Sequence, residues 1–217
     1  MTKTSSQIKS SKRVSEFAEV FTNQKEINSM IALVENEALR IDSRFLEPAC
    51  GEGVFLISIL EKKISTFYKK LKNFQEDFEI SLFISVSSLY GIEILEDNVE
   101  ICRAKIFSFA KDIYSNTFSQ SINESYLSSL NFVLSRNIVH GNALTMEDAS
   151  SGNAINFTEW SIIKNNIVKR REYQFNDLMA YQRSSEPDLF SDLGEEAFIP
   201  PVEKDYPAIS LYELVEK

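Results

Sequence analysis

The sequence predicts an α/β fold with a mostly parallel sheet flanked by helices. Three observations carry that expectation. Short apolar segments alternate with long amphipathic ones, the pattern of strand–helix–strand units. Gly51 and Gly53 stand between the end of one strand and the start of a helix, and an acidic residue, Glu93, ends the next strand.

The elements follow in order. Asn23 and Glu26 form a capping-box pattern, and Ile27, Met30, Ile31 and Val34 recur at helical spacing, which predicts a first helix. Asp42 and Ser43 end it before a short strand over Arg44 to Glu47. After the glycines, Ile57, Leu60, Ile64, Phe67 and Leu71 predict a long amphipathic helix. The polar stretch Lys72 to Glu79 predicts a connection, and the Leu/Phe/Ile/Val-rich stretch Ile80 to Ile92 a buried strand with its approach. A helix follows Asp97, with Val99, Cys102, Ile106, Phe109 and Ile113 on one face, and another is expected from Ile122 to Ser135. Asn137 to His140 is a third strand ending in the turn Gly141-Asn142, and Ile155 to Ile163 a further one. Residues 1–15 are expected to form a flexible basic arm and 16–182 a folded domain. Residues 183–217 are expected to be an acidic linker with a short apolar docking tail, Ile209 to Val215.

Composition narrows the function classes. With 217 residues, the chain has room for one α/β domain and extensions. No apolar run approaches the roughly 20 residues that cross a bilayer, and the Ser/Lys-rich start lacks the apolar core of a secretory signal. Cys50 and Cys102 make neither a disulfide framework nor a zinc pattern, which fits a cytoplasmic location. The net charge of −9 argues against a freestanding nucleic-acid binder. That charge is uneven, however: Glu186 to Lys217 hold nine acidic residues and two lysines, a net of −7, which leaves −2 for the body.

The chemistry concentrates in a few places. Glycines without Cβ let the backbone turn tightly and approach a ligand, and a helix beginning there presents free N–H groups to an anion. Glu93 is placed to accept from the two hydroxyls of a ribose, although it lies farther along than the usual dinucleotide spacing. Asn142 offers both donor and acceptor groups to an adenine ring. His140 is read as a strand-end packing residue. Lys169-Arg170-Arg171 is the one compact basic cluster, a solvated helix or turn surface that would also suit phosphate or an acidic partner.

These residues resemble a family. Glu19-Val20-Phe21-Thr22, then Phe45 to Phe55 (Phe-Leu-Glu-Pro-Ala-Cys-Gly-Glu-Gly-Val-Phe), then Gly91-Ile92-Glu93 and Gly141-Asn142-Ala143 stand in the order found in adenine-specific N6 DNA methyltransferases. The likeness covers about residues 16 to 170. It is greatest to modification subunits of type I restriction systems and to fused restriction–modification enzymes. The resemblance implies a Rossmann-like methyltransferase fold and S-adenosylmethionine as cofactor. It implies cofactor contacts from Phe21, Thr22, Glu47, Pro48, Ala49, Gly51, Gly53, Phe55, Glu93, Ile94, Asn142 and Ala143.

Three departures qualify it. Asn23 stands where the family usually has Pro, and Asn142 where it more often has Asp. The catalytic box, Asn or Asp followed by two prolines and an aromatic, is missing. Asn165 and Asn166 fall in the expected interval, but no proline follows them; the pair Pro200-Pro201 lies in the acidic tail and is read as linker stiffening. The expected function is therefore a DNA adenine-N6 methyltransferase, or a reduced modification subunit that reaches DNA through or with a partner subunit in a homo- or hetero-oligomer. Two alternatives stand beside it: a non-catalytic cofactor-binding scaffold of a restriction or defence complex, and transfer to another substrate through the Trp160 to Arg171 loop.

Overall fold

A computed structural model of the protein describes residues 23–185 and 200–214. The expected basic arm, Phe21, Thr22 and most of the acidic linker lie outside the described residues.

Helix α1 (Gln24–Leu33) starts with the expected capping box: the Asn23 side chain accepts from the Glu26 N–H, and the Glu26 carboxylate accepts from the Asn23 N–H. Ile27 and Ile31 enter the core, whereas Met30 and Val34 stay exposed. A short helix α2 (Glu35–Ala38) leads to β1 (Phe45–Glu47), the glycine loop and α3 (Val54–Leu71). Leu60, Ile64 and Phe67 line its buried stripe, as their spacing required.

The next segment corrects the expectation. Residues 75–87 form a helix, α4 (Gln75–Ser87), and the strand β2 is only Leu89–Glu93. Phe78, Leu82, Phe83 and Val86 are buried at helical spacing. Because α4 packs against α3 on one side and α6 on another, its apolar residues spread around the helix and imitate a buried strand. Helix α5 (Glu96–Thr117) and helix α6 (Glu124–Asn137), capped by the Asn123 side chain on the Tyr126 N–H, precede β3 (Ile138–Asn142).

The sheet is mixed. β1, β2 and β3 run parallel in that order, and a two-residue strand β4 (Glu147–Asp148) adds antiparallel to β3. A separate antiparallel sheet is built on the hairpin of β5 (Asn156–Lys164) and β6 (Ile167–Gln174). The chain continues into helix α7 (Phe175–Ser185). β7 (Lys204–Asp205) and β8 (Ile209–Ser210) both pair with β6. The strand expected over 155–163 is present, but β6 was not foreseen, since its run of charges hides the alternation of a strand.

The hairpin closes the second face of the parallel strands. Phe157 packs between Tyr90 and Phe175, edge to face on each, and Tyr90 donates to the Thr158 carbonyl. Farther along β5, Trp160 donates to Asn137 where β3 begins and packs edge-on against Phe83 and Phe132. The apolar tail docks on its own chain: β8 lies on β6, and Leu211 and Leu214 are buried in the main core. Tyr206 stacks on Arg170 at 3.8 Å.

Lys63 joins the entrances of β1 and β2. It is buried, and its ammonium donates to the carbonyls of Ile41 and Ser43 and to the Ser88 hydroxyl. Burial lowers its pKa to about 8. Below that value both folded and unfolded chains hold the proton. Between it and the ordinary value of 10.5 the unfolded chain binds more protons than the folded one, so this group makes the fold more stable as the pH rises. In urea titrations, the unfolding free energy of wild type relative to Lys63→Met is expected to gain roughly 2 kcal/mol from pH 7.5 to pH 10. A constant difference would mean that Lys63 titrates normally.

Candidate functional site

The glycine loop hangs from the carboxyl end of β1 and is fixed by backbone bonds. The Cys50 N–H donates to the Ile92 carbonyl at 3.0 Å, which carries the β1–β2 ladder into the loop, and the Gly53 N–H donates to the Cys50 carbonyl at 2.8 Å, which closes the turn. Gly51 and Gly53 both have left-handed φ, 51° and 82°, a region that costs other residues about 1–2 kcal/mol. Gly53 is also crowded: a Cβ there would lie 2.6 Å from Cys102 Sγ on α5. As the N-cap of α3, Gly53 brings no capping side chain, so the first-turn N–H groups of α3 remain for a ligand. At the loop's flanks, Lys105 pairs with Glu52 at 2.5 Å. Burial pushes the Glu47 carboxyl up, against a hydrogen bond from the Ala49 backbone. Pro48 and Ala49 are exposed, and Phe55 is half-buried at the edge of the core.

Glu93 faces this loop. Its side chain is buried, and its two oxygens accept from two chain segments: Oε2 from the Gly51 N–H and Oε1 from the Leu95 N–H, each at 2.9 Å. Beside it, Ile94 is exposed, and at the end of β3 Ala143 is half-buried and Leu144 is exposed. Apolar groups thus flank the mouth of the loop where two strands end. Asn142 uses its Oδ1 to accept from the Leu144 and Thr145 N–H groups, which leaves its amide as the donor. His140 Nε2 lies 3.0 Å from the Ile94 carbonyl and links the ends of β2 and β3. The structure therefore brings Gly51, Gly53, Glu93, Ile94, Asn142 and Ala143 to one end of the parallel strands.

Asn165 and Asn166 are elsewhere. They form the tip of the β5–β6 hairpin, where Asn165 takes a left-handed φ of 50° and the Asn166 carbonyl accepts from Leu211. β5 starts beside Gly141 and passes Asn137, so its tip lies beyond the opposite end of the strands from the glycine loop. The basic cluster lies on β6 rather than on a helix or turn. Lys169 pairs with Asp205 at 2.6 Å, Arg170 with Glu172 at 2.5 Å, and Arg171 with Glu159 and Asp205 at 3.7 and 3.6 Å. These cations are engaged within the fold.

A cavity of about 410 Å³ lies between α5, the end of α6 and the β4 turn, apart from the glycine loop. Its charges serve the fold: Arg103 donates to the Ser135 and Ile138 carbonyls, and Asp148 accepts from Ser150 and Ser151. Among the described residues no cluster could hold a metal ion, and no helix is long and apolar enough to cross a membrane.

A family model described as MmeI, DNA-methyltransferase domain matches residues 18–170. The chain belongs to this family. The match agrees with the likeness carried by the glycine loop, Glu93 and the Gly141-Asn142-Ala143 turn, and it makes the chain a DNA-methyltransferase domain of the restriction–modification type. No curated protein and no solved structure matches it.

Three residues of this MmeI-family domain shape the site without a sequence signal of their own. Cys102 looked only like one apolar position on a helix, and Lys105, which pairs with Glu52, lies in no motif. Leu95 acts through its backbone, which no side-chain pattern reveals. The Cys102 contact is testable. Gly53→Ala should cost more in wild type than in a Cys102→Ala background, with a coupling of roughly 0.5–3 kcal/mol in a thermal-unfolding double-mutant cycle. Additive costs would mean that the sulfur does not limit the loop.

Proposed function

We propose that the protein binds S-adenosylmethionine at the glycine loop and serves as the cofactor-holding part of a DNA adenine-N6 methyltransferase. The observation that carries this reading is the buried Glu93 carboxylate, held by N–H groups from both the loop and the β2 exit. A carboxylate oxygen that accepts one N–H retains capacity for a second donor. Glu93 is thus oriented in advance to accept from two ribose hydroxyls. The α3 N-terminus would meet the carboxylate of the methionine moiety, with Phe55 beside it. Ile94, Ala143 and Leu144 would border the adenine ring, and the Asn142 amide would donate to it.

S-adenosylmethionine, when bound, supplies a methyl group on a sulfonium sulfur. The protein's own contribution is to position it, and positioning accounts for much of the acceleration in such transfers. For an adenine target, the base must leave the duplex and meet a proton acceptor and a stacking surface. A second reading, cofactor binding without transfer, is favoured by one observation: the candidate amides Asn165 and Asn166 sit away from the loop.

Calorimetric titration of the full chain with S-adenosylmethionine tests the first reading. Binding is expected, and Glu93→Ala should weaken it about 10- to 100-fold, the equivalent of losing roughly 1.4–2.8 kcal/mol of hydrogen bonding. Absence of binding, or equal affinity in a folded Glu93→Ala variant, would sink it. Radiolabelled methyl transfer to DNA, with and without the products of neighbouring genes, separates enzyme from binder.

A further inference from the structure

His140 is the only histidine of the chain and stands directly opposite Glu93 in the β2–β3 ladder. Paired residues of neighbouring strands project to the same face, so the imidazole and the carboxylate lie side by side where the two strands end. The ring is half-buried, and its Nε2 lies 3.0 Å from the Ile94 carbonyl oxygen. A carbonyl only accepts, so Nε2 carries a proton in this contact and donates it. That nitrogen is therefore committed to the backbone.

The bond holds the peptide group that joins Ile94 to Leu95. In a trans peptide the C=O and the N–H share one plane and point in opposite directions. The N–H of this same group, that of Leu95, donates to Glu93 Oε1 at 2.9 Å. His140 and Glu93 thus grip the two ends of one rigid unit. Each bond polarises the peptide in favour of the other. Helix α5 contributes less to its placement. Leu95 caps that helix without a side-chain bond, and the carbonyl that accepts from the Asn98 and Val99 N–H groups belongs to the next peptide. With its carbonyl held from β3, the peptide keeps its N–H aimed at Oε1, while Oε2 stays on the Gly51 N–H.

We propose that His140 is a positioning residue for cofactor binding: it fixes the Ile94–Leu95 peptide and, through it, the carboxylate that accepts from the ribose, a role that rests on the cofactor reading above. Two plainer roles make different demands. Packing at a strand end needs the bulk of the ring and not its N–H. A stitch between β2 and β3 needs the N–H but works the same whether or not Glu93 carries a carboxylate. Positioning needs both the donor and Glu93.

Two measurements on the full chain test this. Nitrogen NMR in mildly alkaline buffer, unambiguous with a single histidine, should show the tautomer protonated at Nε2, and the Leu95 amide should exchange about tenfold faster in His140→Phe than in wild type. In calorimetric titration with S-adenosylmethionine, His140→Phe keeps a ring without the donor and should weaken binding about tenfold, the loss of one hydrogen bond. His140→Gln, whose amide nitrogen reaches the place of Nε2, should stay within about threefold of wild type. In a Glu93→Ala background, His140→Phe should cost less than about twofold more, because the group it acts through is gone. A bare Nε2 in wild type would overturn the proposal. So would wild-type affinity or unchanged Leu95 exchange in a folded His140→Phe variant, a His140→Gln variant as weak as His140→Phe, or an equal penalty with and without Glu93. His140→Leu takes the place of His140→Phe if the latter does not fold, and the tautomer needs no variant. A wild-type chain that binds no S-adenosylmethionine counts against the cofactor reading and overturns the positioning role with it; the other outcomes overturn the positioning role alone.

Discussion

The most consequential constraint in this fold is the pair of hydrogen bonds on Glu93. A buried carboxylate is costly unless its oxygens are satisfied. Here the donors come from two segments that share no local structure: the turn after β1 and the exit from β2. The same two bonds set the distance between the glycine loop and the second strand, orient the carboxylate and aim its remaining lone pairs. Packing reinforces this from behind, where Gly53 sits against Cys102 too closely for any side chain. Hydrogen bonding with Cys102 and burial push the Cys50 thiol up, and both cysteines are free and buried beneath the loop.

Much of this arrangement was legible in the sequence, for identifiable reasons. The capping box at Asn23, the stripe of α3 and the fully buried β2 each depend on local chemistry with a fixed period. The glycine loop was legible because few residue strings permit two left-handed turns before a helix. What was hidden depends on three-dimensional surroundings. α4 looked like a strand because neighbours on several sides bury it, which erases the polar face that marks a helix. β6 looked like a solvated basic run because its cations find their carboxylates across the strands, on β5 and β7, and two places along on β6 itself. Lys169, Arg170 and Arg171 in succession carry no apolar mark, and the strand is defined by its backbone ladders to β5, β7 and β8. At the site, the side chains were visible and the backbone donors were not.

The mixed architecture follows from how the second face of the parallel strands is covered. In α/β folds helices normally take that place. Here β5 and α7 do it, with Phe157 and Phe175 packed beside Tyr90. The hairpin then extends past the strand entrances, where the tail adds β8 and fills the core with Leu211 and Leu214. One end of the parallel strands is thus thick with packed structure, and the other holds the loop and exposed apolar groups. Lys63 belongs to the thick end, where its ammonium ties the Ile41 and Ser43 carbonyls to the Ser88 hydroxyl.

The ion pairs along β6 have a consequence for how this domain meets a polyanion. The affinity of a cationic surface for DNA comes largely from the counterions that it displaces from phosphates, and a cation already matched to a carboxylate displaces few. With Lys169, Arg170 and Arg171 paired to Glu159, Glu172 and Asp205, these three cations of the hairpin are already met by carboxylates within the fold. A restriction–modification domain built this way leaves the long-range attraction of DNA to other surfaces. A contact made through Lys169, Arg170 and Arg171 would depend less on ionic strength than their composition suggests.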